Sequence, residues 1–198
     1  MTPRHPALIT LGGFLAALAV IALGLAVGDD TVERAQLAAR WTARVGFPIF
    51  VLTYLASSLY GLRPNERTRA LLKERRWWGL SFAVAHTVHL IALIAYLQIS
   101  GDTRPASVIV GGGIGYVLLY AMVLTSNHRS QRALGKNWKR LHTLGIHYIW
   151  FIFAFSYSGR LFDPERWLTG AVFTPVALAA LGVRLWARFR PAGVTSTA

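Results

Sequence analysis

Long apolar blocks alternate with short polar connections along the whole chain. Six blocks stand out: Pro6–Gly28, Val45–Leu62, Trp78–Ile99, Ala106–Thr125, Leu141–Tyr157 and Trp167–Phe189. A membrane span needs about 20 mostly apolar residues, whereas runs of about 10–14 are ambiguous, and only the fifth block approaches the short limit. Inside lipid the backbone must satisfy its own polar groups, so each block predicts a helix. The pattern therefore predicts an all-α integral membrane bundle of six transmembrane helices. It forms one domain over 1–198, with spans at about 6–28, 45–62, 78–99, 106–125, 141–157 and 167–189. Pro48 and Pro175 fall inside spans two and six, where neighbouring helices tolerate proline. Trp77, Trp78, Trp138 and Trp167 fall at block edges, as an interfacial aromatic belt requires.

Composition agrees: charged residues make up 15% of the chain, against about 25% in soluble domains. The net charge of +13 would suit nucleic acid, but its placement does not. With a cytoplasmic N-terminus, the inner segments carry Arg4, Arg63, Arg67, Arg69, Lys73, Arg75 and Arg76. They also carry Arg129, Arg132, Lys136, Lys139, Arg140, Arg184, Arg188 and Arg190. That is 15 of the 21 Lys and Arg, while Glu66 and Glu74 are the only inner acids. The positive-inside rule then predicts both termini in the cytoplasm of a multi-pass plasma (inner) membrane protein. A basic rim facing anionic lipid accounts for the charge, with no nucleic-acid partner.

Absence of cysteine excludes disulfides, thiolate iron–sulfur clusters and covalently attached c-type haem. The first block follows Arg4 and His5 and ends near Ala26-Val27-Gly28, which resembles a cleavable signal. Its apolar run exceeds the roughly 7–15 residues of a signal core, so a retained first helix is expected.

Histidine placement supplies the candidate chemistry. His5 and His128 lie in the tail and a loop, but His86 and His89 share span three, and His142 and His147 share span five. Ionisable side chains within a membrane are costly and by default mark a functional site. Counted from Trp78 and Trp138, His86 and His147 lie about 12 Å and about 13.5 Å deep, in the inner half of the membrane. His89 is about 4.5 Å deeper than His86 and on a neighbouring face. His142 is about 7.5 Å shallower than His147 and about 140° round the helix. Neutral imidazoles from two helices at one depth suit a metal or a haem iron. The bland alternative is polar packing between helices. A zinc site would recruit tight tetrahedral ligands, and no Asp or Glu lies inside a span to join them. Haem therefore leads, with His86 paired to His147 by depth.

Gly111-Gly112-Gly113-Ile114-Gly115 superficially resembles a phosphate loop, but it follows no strand. Gly111 and Gly115 instead offer a small-residue surface for a packed helix or a flat cofactor. The segment 126–140 has five cations and no acid. It reads as topological signal, or as a place that holds an anionic cofactor edge or docks a cytoplasmic donor.

The run Arg75-Arg76-Trp77-Trp78-Gly79-Leu80 through His89-Leu90 precedes a second distinctive stretch. That stretch is Leu124-Thr125-Ser126 through Leu134-Gly135-Lys136-Asn137-Trp138-Lys139-Arg140-Leu141-His142. Together they resemble the ferric reductase-like transmembrane domain family over roughly 45–190. This family includes the haem-binding membrane subunits of periplasmic methionine-sulfoxide reductase systems and, more distantly, the NADPH oxidases. The resemblance implies haem b held between histidines of helices three and five, with His89 and His142 at the matching positions. It implies one haem, with a second as the wider-family arrangement. Electrons would pass from a cytoplasmic or quinol donor to an outer-face acceptor. The family's second helix-five histidine falls at Phe155 here, so the outer pair is absent or rearranged. No flavin or nicotinamide segment follows the sixth block, so a flavoprotein reductase or quinone partner is expected to supply electrons to an oxidoreductase component. His86, His89, His142 and His147 are the candidate ligands. Arg75, Arg76, Lys139 and Arg140 are the cations nearest an inner haem's propionates. A non-haem metal protein using the same histidines and a non-catalytic anchor subunit remain the alternatives.

Overall fold

The computed structural model describes residues 6–190, which contain seven α-helices and no strand. They are α1 (Pro6–Val27), α2 (Thr31–Leu62), α3 (Glu66–Ser100), α4 (Ala106–Leu124), α5 (His128–Leu134), α6 (Lys136–Gly159) and α7 (Trp167–Phe189). A short 3-10 turn, Arg160–Phe162, follows α6. Five of them, α1, α2, α3, α4 and α7, are long and apolar enough to cross a membrane. The remaining long helix, α6, has 24 residues, but His142, His147, Tyr148, Ser156 and Tyr157 dilute its apolar run.

Helix starts follow capping chemistry rather than the edge of the apolar blocks. Asp30 accepts the Glu33 amide at 2.8 Å, and Glu33 accepts the Asp29 amide at 2.9 Å; these bonds satisfy orphan donors. So α2 begins at Thr31 rather than near Val45. Asn65 and Thr68 form a reciprocal capping box, so α3 begins at Glu66, well before Trp78. Gly101, with φ 65°, ends α3 in the left-handed region that glycine occupies without a Cβ penalty.

Small residues let the first three helices pack closely. A Cβ on Gly13 would collide with Ser81, whose hydroxyl donates to the Ile9 carbonyl at 2.9 Å. A Cβ on Gly24 would lie 2.9 Å from the Ala38 amide nitrogen. The other half of the bundle closes round an aromatic core of Phe47, Phe50, Tyr54, Phe82, Phe153 and Tyr157, all buried. Phe47 meets Phe153 and Tyr157 with ring centroids 5.1 Å apart in tilted and edge geometries, the arrangements favoured by the ring quadrupole. Trp138 ties the start of α6 to the end of α4 by donating its indole proton to the Thr125 carbonyl at 2.9 Å.

Candidate functional site

Two cavities occupy the space between α2, α3, α4 and α6, one towards each end of the bundle. Leu119 and Ile149 line both and separate them.

The first cavity, about 680 Å³, contains His86 and His89. It lies towards the end that carries the α3–α4 and α6–α7 connections, as Arg104, Arg160 and Arg166 in its wall show. Its volume falls within the roughly 300–1,000 Å³ of small-molecule and cofactor sites. Both histidines reach it because i and i+3 share a helix face. His89 Nδ1 lies 3.0 Å from the Ala39 carbonyl and 3.2 Å from Thr42 Oγ1. A carbonyl only accepts, so Nδ1 carries the proton and Nε2 keeps its lone pair. Thr42 sends its own proton to the Ala38 carbonyl at 2.8 Å, which leaves its oxygen free to accept as well. Iron-ligating histidines are oriented in this way, with one nitrogen fixed and the other free.

His86 is placed differently. Its ring stacks on Phe82 and Tyr116, with centroids 4.9 and 5.4 Å away. Its Nδ1 is buried without a hydrogen-bond partner and faces Gly46, where a Cβ would approach to 3.1 Å. On the α4 side, Gly111, Gly112 and Gly115 line the cavity. A Cβ on Gly112 would meet nothing within 4 Å, so this glycine surface leaves room for a flat group.

Five arginines, Arg40, Arg44, Arg104, Arg160 and Arg166, line the same cavity. Arg104 and Arg166 pair with Asp102 and Asp163 at 2.9 and 2.6 Å. Among the described residues, Arg40, Arg44 and Arg160 have no carboxylate within ion-pair distance. Arg44 donates to Thr169 Oγ1 at 2.9 Å, and Arg160 to Ser156 Oγ at 3.1 Å. Burial, then the nearby Arg166, Arg44 and Arg40, push the Arg160 guanidinium below its ordinary value, against the opposing influence of Tyr157. Sequence reasoning passed over these arginines, because they were counted only as exceptions to the positive-inside pattern. Their helical spacing, Arg40 and Arg44 on one face of α2, was the available signal.

The second cavity, about 790 Å³, lies towards the basic end and contains His142, Arg75, Arg76, Lys136, Lys139 and Arg184. His142 stacks on Trp138, with centroids 4.2 Å apart. Its Nε2 lies 3.0 Å from Thr125 Oγ1, whose proton goes to the Ala121 carbonyl at 2.7 Å. Nε2 is therefore the donor to Thr125. Arg140 is exposed and lines neither cavity.

His147 also lines neither cavity. Its ring meets Tyr54 edge-on at 5.6 Å, and its Nδ1 donates to the Thr143 carbonyl at 2.7 Å. The depth count that paired it with His86 carried no information about direction round the helix. The structure groups His86 with His89, and His142 with Arg75, Arg76 and Lys139. Among the described residues, no three His, Cys, Asp or Glu side chains converge as a metal-ion cluster would need.

Comparison with known proteins gives a consistent family. The haem-binding subunit MsrQ of the protein-methionine-sulfoxide reductase from Salmonella enteritidis PT4 is 30% identical over 169 residues, covering 76% of this chain and 75% of that protein. The MsrQ subunits of Salmonella paratyphi B and Salmonella newport match with the same identity and coverage. No protein-family model matches the sequence, and no solved structure does.

Proposed function

The chain belongs to the MsrQ family of haem-binding subunits of protein-methionine-sulfoxide reductases, and from that premise we propose that it is a b-type haem electron-transfer subunit. It carries electrons from a cytoplasmic flavoprotein reductase or a quinol to an acceptor at the outer face of the inner membrane. In this reading α6 is the sixth span. Of its polar side chains, His142, Tyr148, Ser156 and Tyr157 line the cavities, and Tyr148 donates to the Gly111 carbonyl of α4 at 3.0 Å. Both termini lie in the cytoplasm, by the 15-to-6 division of cations.

The observation that carries the reading is the meeting of His89 Nε2 with uncompensated arginines in one cofactor-sized cavity. A haem there would be held by His89, with Arg40, Arg44 and Arg160 in the same wall to neutralise its carboxylates. When bound, haem supplies a one-electron couple whose potential the protein sets through ligand, hydrogen bonds and burial. The chain's own residues do the rest. Ala39 and Thr42 fix the His89 tautomer, α4 glycines admit the flat ring, and Ile152 and Phe153 exclude water.

The basic end supports a second reading for the other cavity, which takes a second haem or docks the donor. Arg75, Arg76, Lys136 and Lys139 line it with no acidic residue. His142 reaches it with Nε2 donating to Thr125, which leaves the imidazole lone pair on Nδ1.

Dithionite-reduced minus oxidised spectra of the purified protein, with a pyridine haemochrome assay against protein concentration, test the proposal. Haem b at one or two per chain is the expected result. A protein with zinc and no iron, or with no Soret band, would replace it with the non-haem metal or anchor reading.

A further inference from the structure

Where the second axial ligand of the His89-bound iron could come from is a question the geometry answers. Both α3 imidazoles turn their Nδ1 atoms to α2: His89 donates to the Ala39 carbonyl, and His86 Nδ1 sits against Gly46. Both Nε2 atoms therefore look the same way. Two ligands of one haem iron must approach from opposite sides, and a ring passed between side chains one turn apart would cut into the helix carrying both. His86 and His89 cannot sandwich an iron.

The facing walls supply no substitute. The α4 and α6 side chains lining the cavity include Gly111, Gly115, Ile152 and Phe155, none with a nitrogen or sulfur ligand. Tyr116 and Tyr148 donate their hydroxyls to the His86 and Gly111 carbonyls at 3.1 and 3.0 Å. Of the tyrosines lining this cavity among the described residues, Tyr157 alone has its hydroxyl buried without a partner, and its ring is fixed against Phe47, Phe153 and Phe173.

We propose that this cavity holds its haem through the single imidazole of His89 and leaves the opposite axial position open to a small exogenous diatomic ligand. The inference rests on the haem reading above. Carbon monoxide is the probe: an iron–carbon bond forms at the open position of the ferrous haem, with no ligand displaced and no electron transferred.

The full-length, haem-loaded protein is examined for ferric spin state and then, after reduction, for its absorption change with carbon monoxide. The expected result is a high-spin ferric signal and a carbon monoxide complex, both lost in His89→Ala and both kept in Tyr157→Phe. Haem that depends on His89 yet is wholly low-spin and insensitive to carbon monoxide overturns the open site and spares the haem reading. A phenolate-to-iron charge-transfer band in the ferric protein that Tyr157→Phe abolishes assigns the position to the phenol and also overturns it. If His89→Ala leaves haem content and spectrum unchanged, the haem site itself is wrong, and this inference falls with it.

Discussion

The Nδ1 proton of His89 is donated to the carbonyl of Ala39 across the α2–α3 interface, at 3.0 Å. This bond fixes the tautomer, and Thr42 adds a second acceptor at 3.2 Å. Outer partners of this kind typically change metal affinity by about 10–100-fold when removed. Thr42→Val keeps the shape and the Ala39 bond, so haem is expected to remain with affinity lowered towards the smaller end of that range. Haem titration of the apoprotein checks this; an affinity equal to wild type would remove Thr42 from the site.

The arginines make a prediction with a sign. Ferric haem carries one more positive charge than ferrous haem, so nearby cations favour the reduced state and raise the potential. Replacing Arg40 or Arg160 with Gln is expected to lower the midpoint potential. A part-buried charge at such range is worth roughly 1 kcal/mol, or about 40 mV for one electron. Redox titration reads the shift, and a rise or no change would mean that the propionates lie elsewhere.

How much of this was open to sequence reading depends on the kind of information each feature needs. The positions of the six long helices were legible because span length and apolarity are one-dimensional; the starts of α2 and α3 moved, since Asp30 and Asn65 cap helices that run on beyond the apolar blocks, and the short polar α5 falls in a segment read as a connection. The shared face of His86 and His89 was legible from their i, i+3 spacing. The direction of His147 was not: depth can be counted from an anchor, but the turn that points it at Tyr54 depends on how α6 is rotated against α2. The arginine cluster was only half legible: Arg40 and Arg44 share a face of α2, but Arg160 joins them from the turn after α6 only on folding.

Helix packing gives a third prediction. A Cβ on Gly13 falls on Ser81, so Gly13→Val is expected to push α1 off α3 and destabilise the bundle by about 1–3 kcal/mol, the usual cost of overpacking. Thermal unfolding in detergent should show the loss, whereas Gly12→Val, with nothing within 4 Å, should unfold like wild type.

At the basic end, paired replacement of Arg75 and Arg76, or of Lys136 and Lys139, by Gln separates the two uses of the second cavity. If the cavity receives the donor, reduction by that donor should slow and lose its salt dependence, while haem content stays unchanged. Loss of part of the haem would assign the cavity to a second haem. Unaltered reduction and haem content would return these cations to setting topology alone.

The central claim, that His89 is the axial ligand, is tested most directly by comparing His89→Gly with His147→Gly, each with and without added imidazole. The account predicts that His89→Gly loses the haem signal and that free imidazole restores it, while His147→Gly retains haem throughout. Retention of the full signal in His89→Gly, with imidazole-rescued loss in His147→Gly, would contradict it and return the site to the ligand chosen by depth.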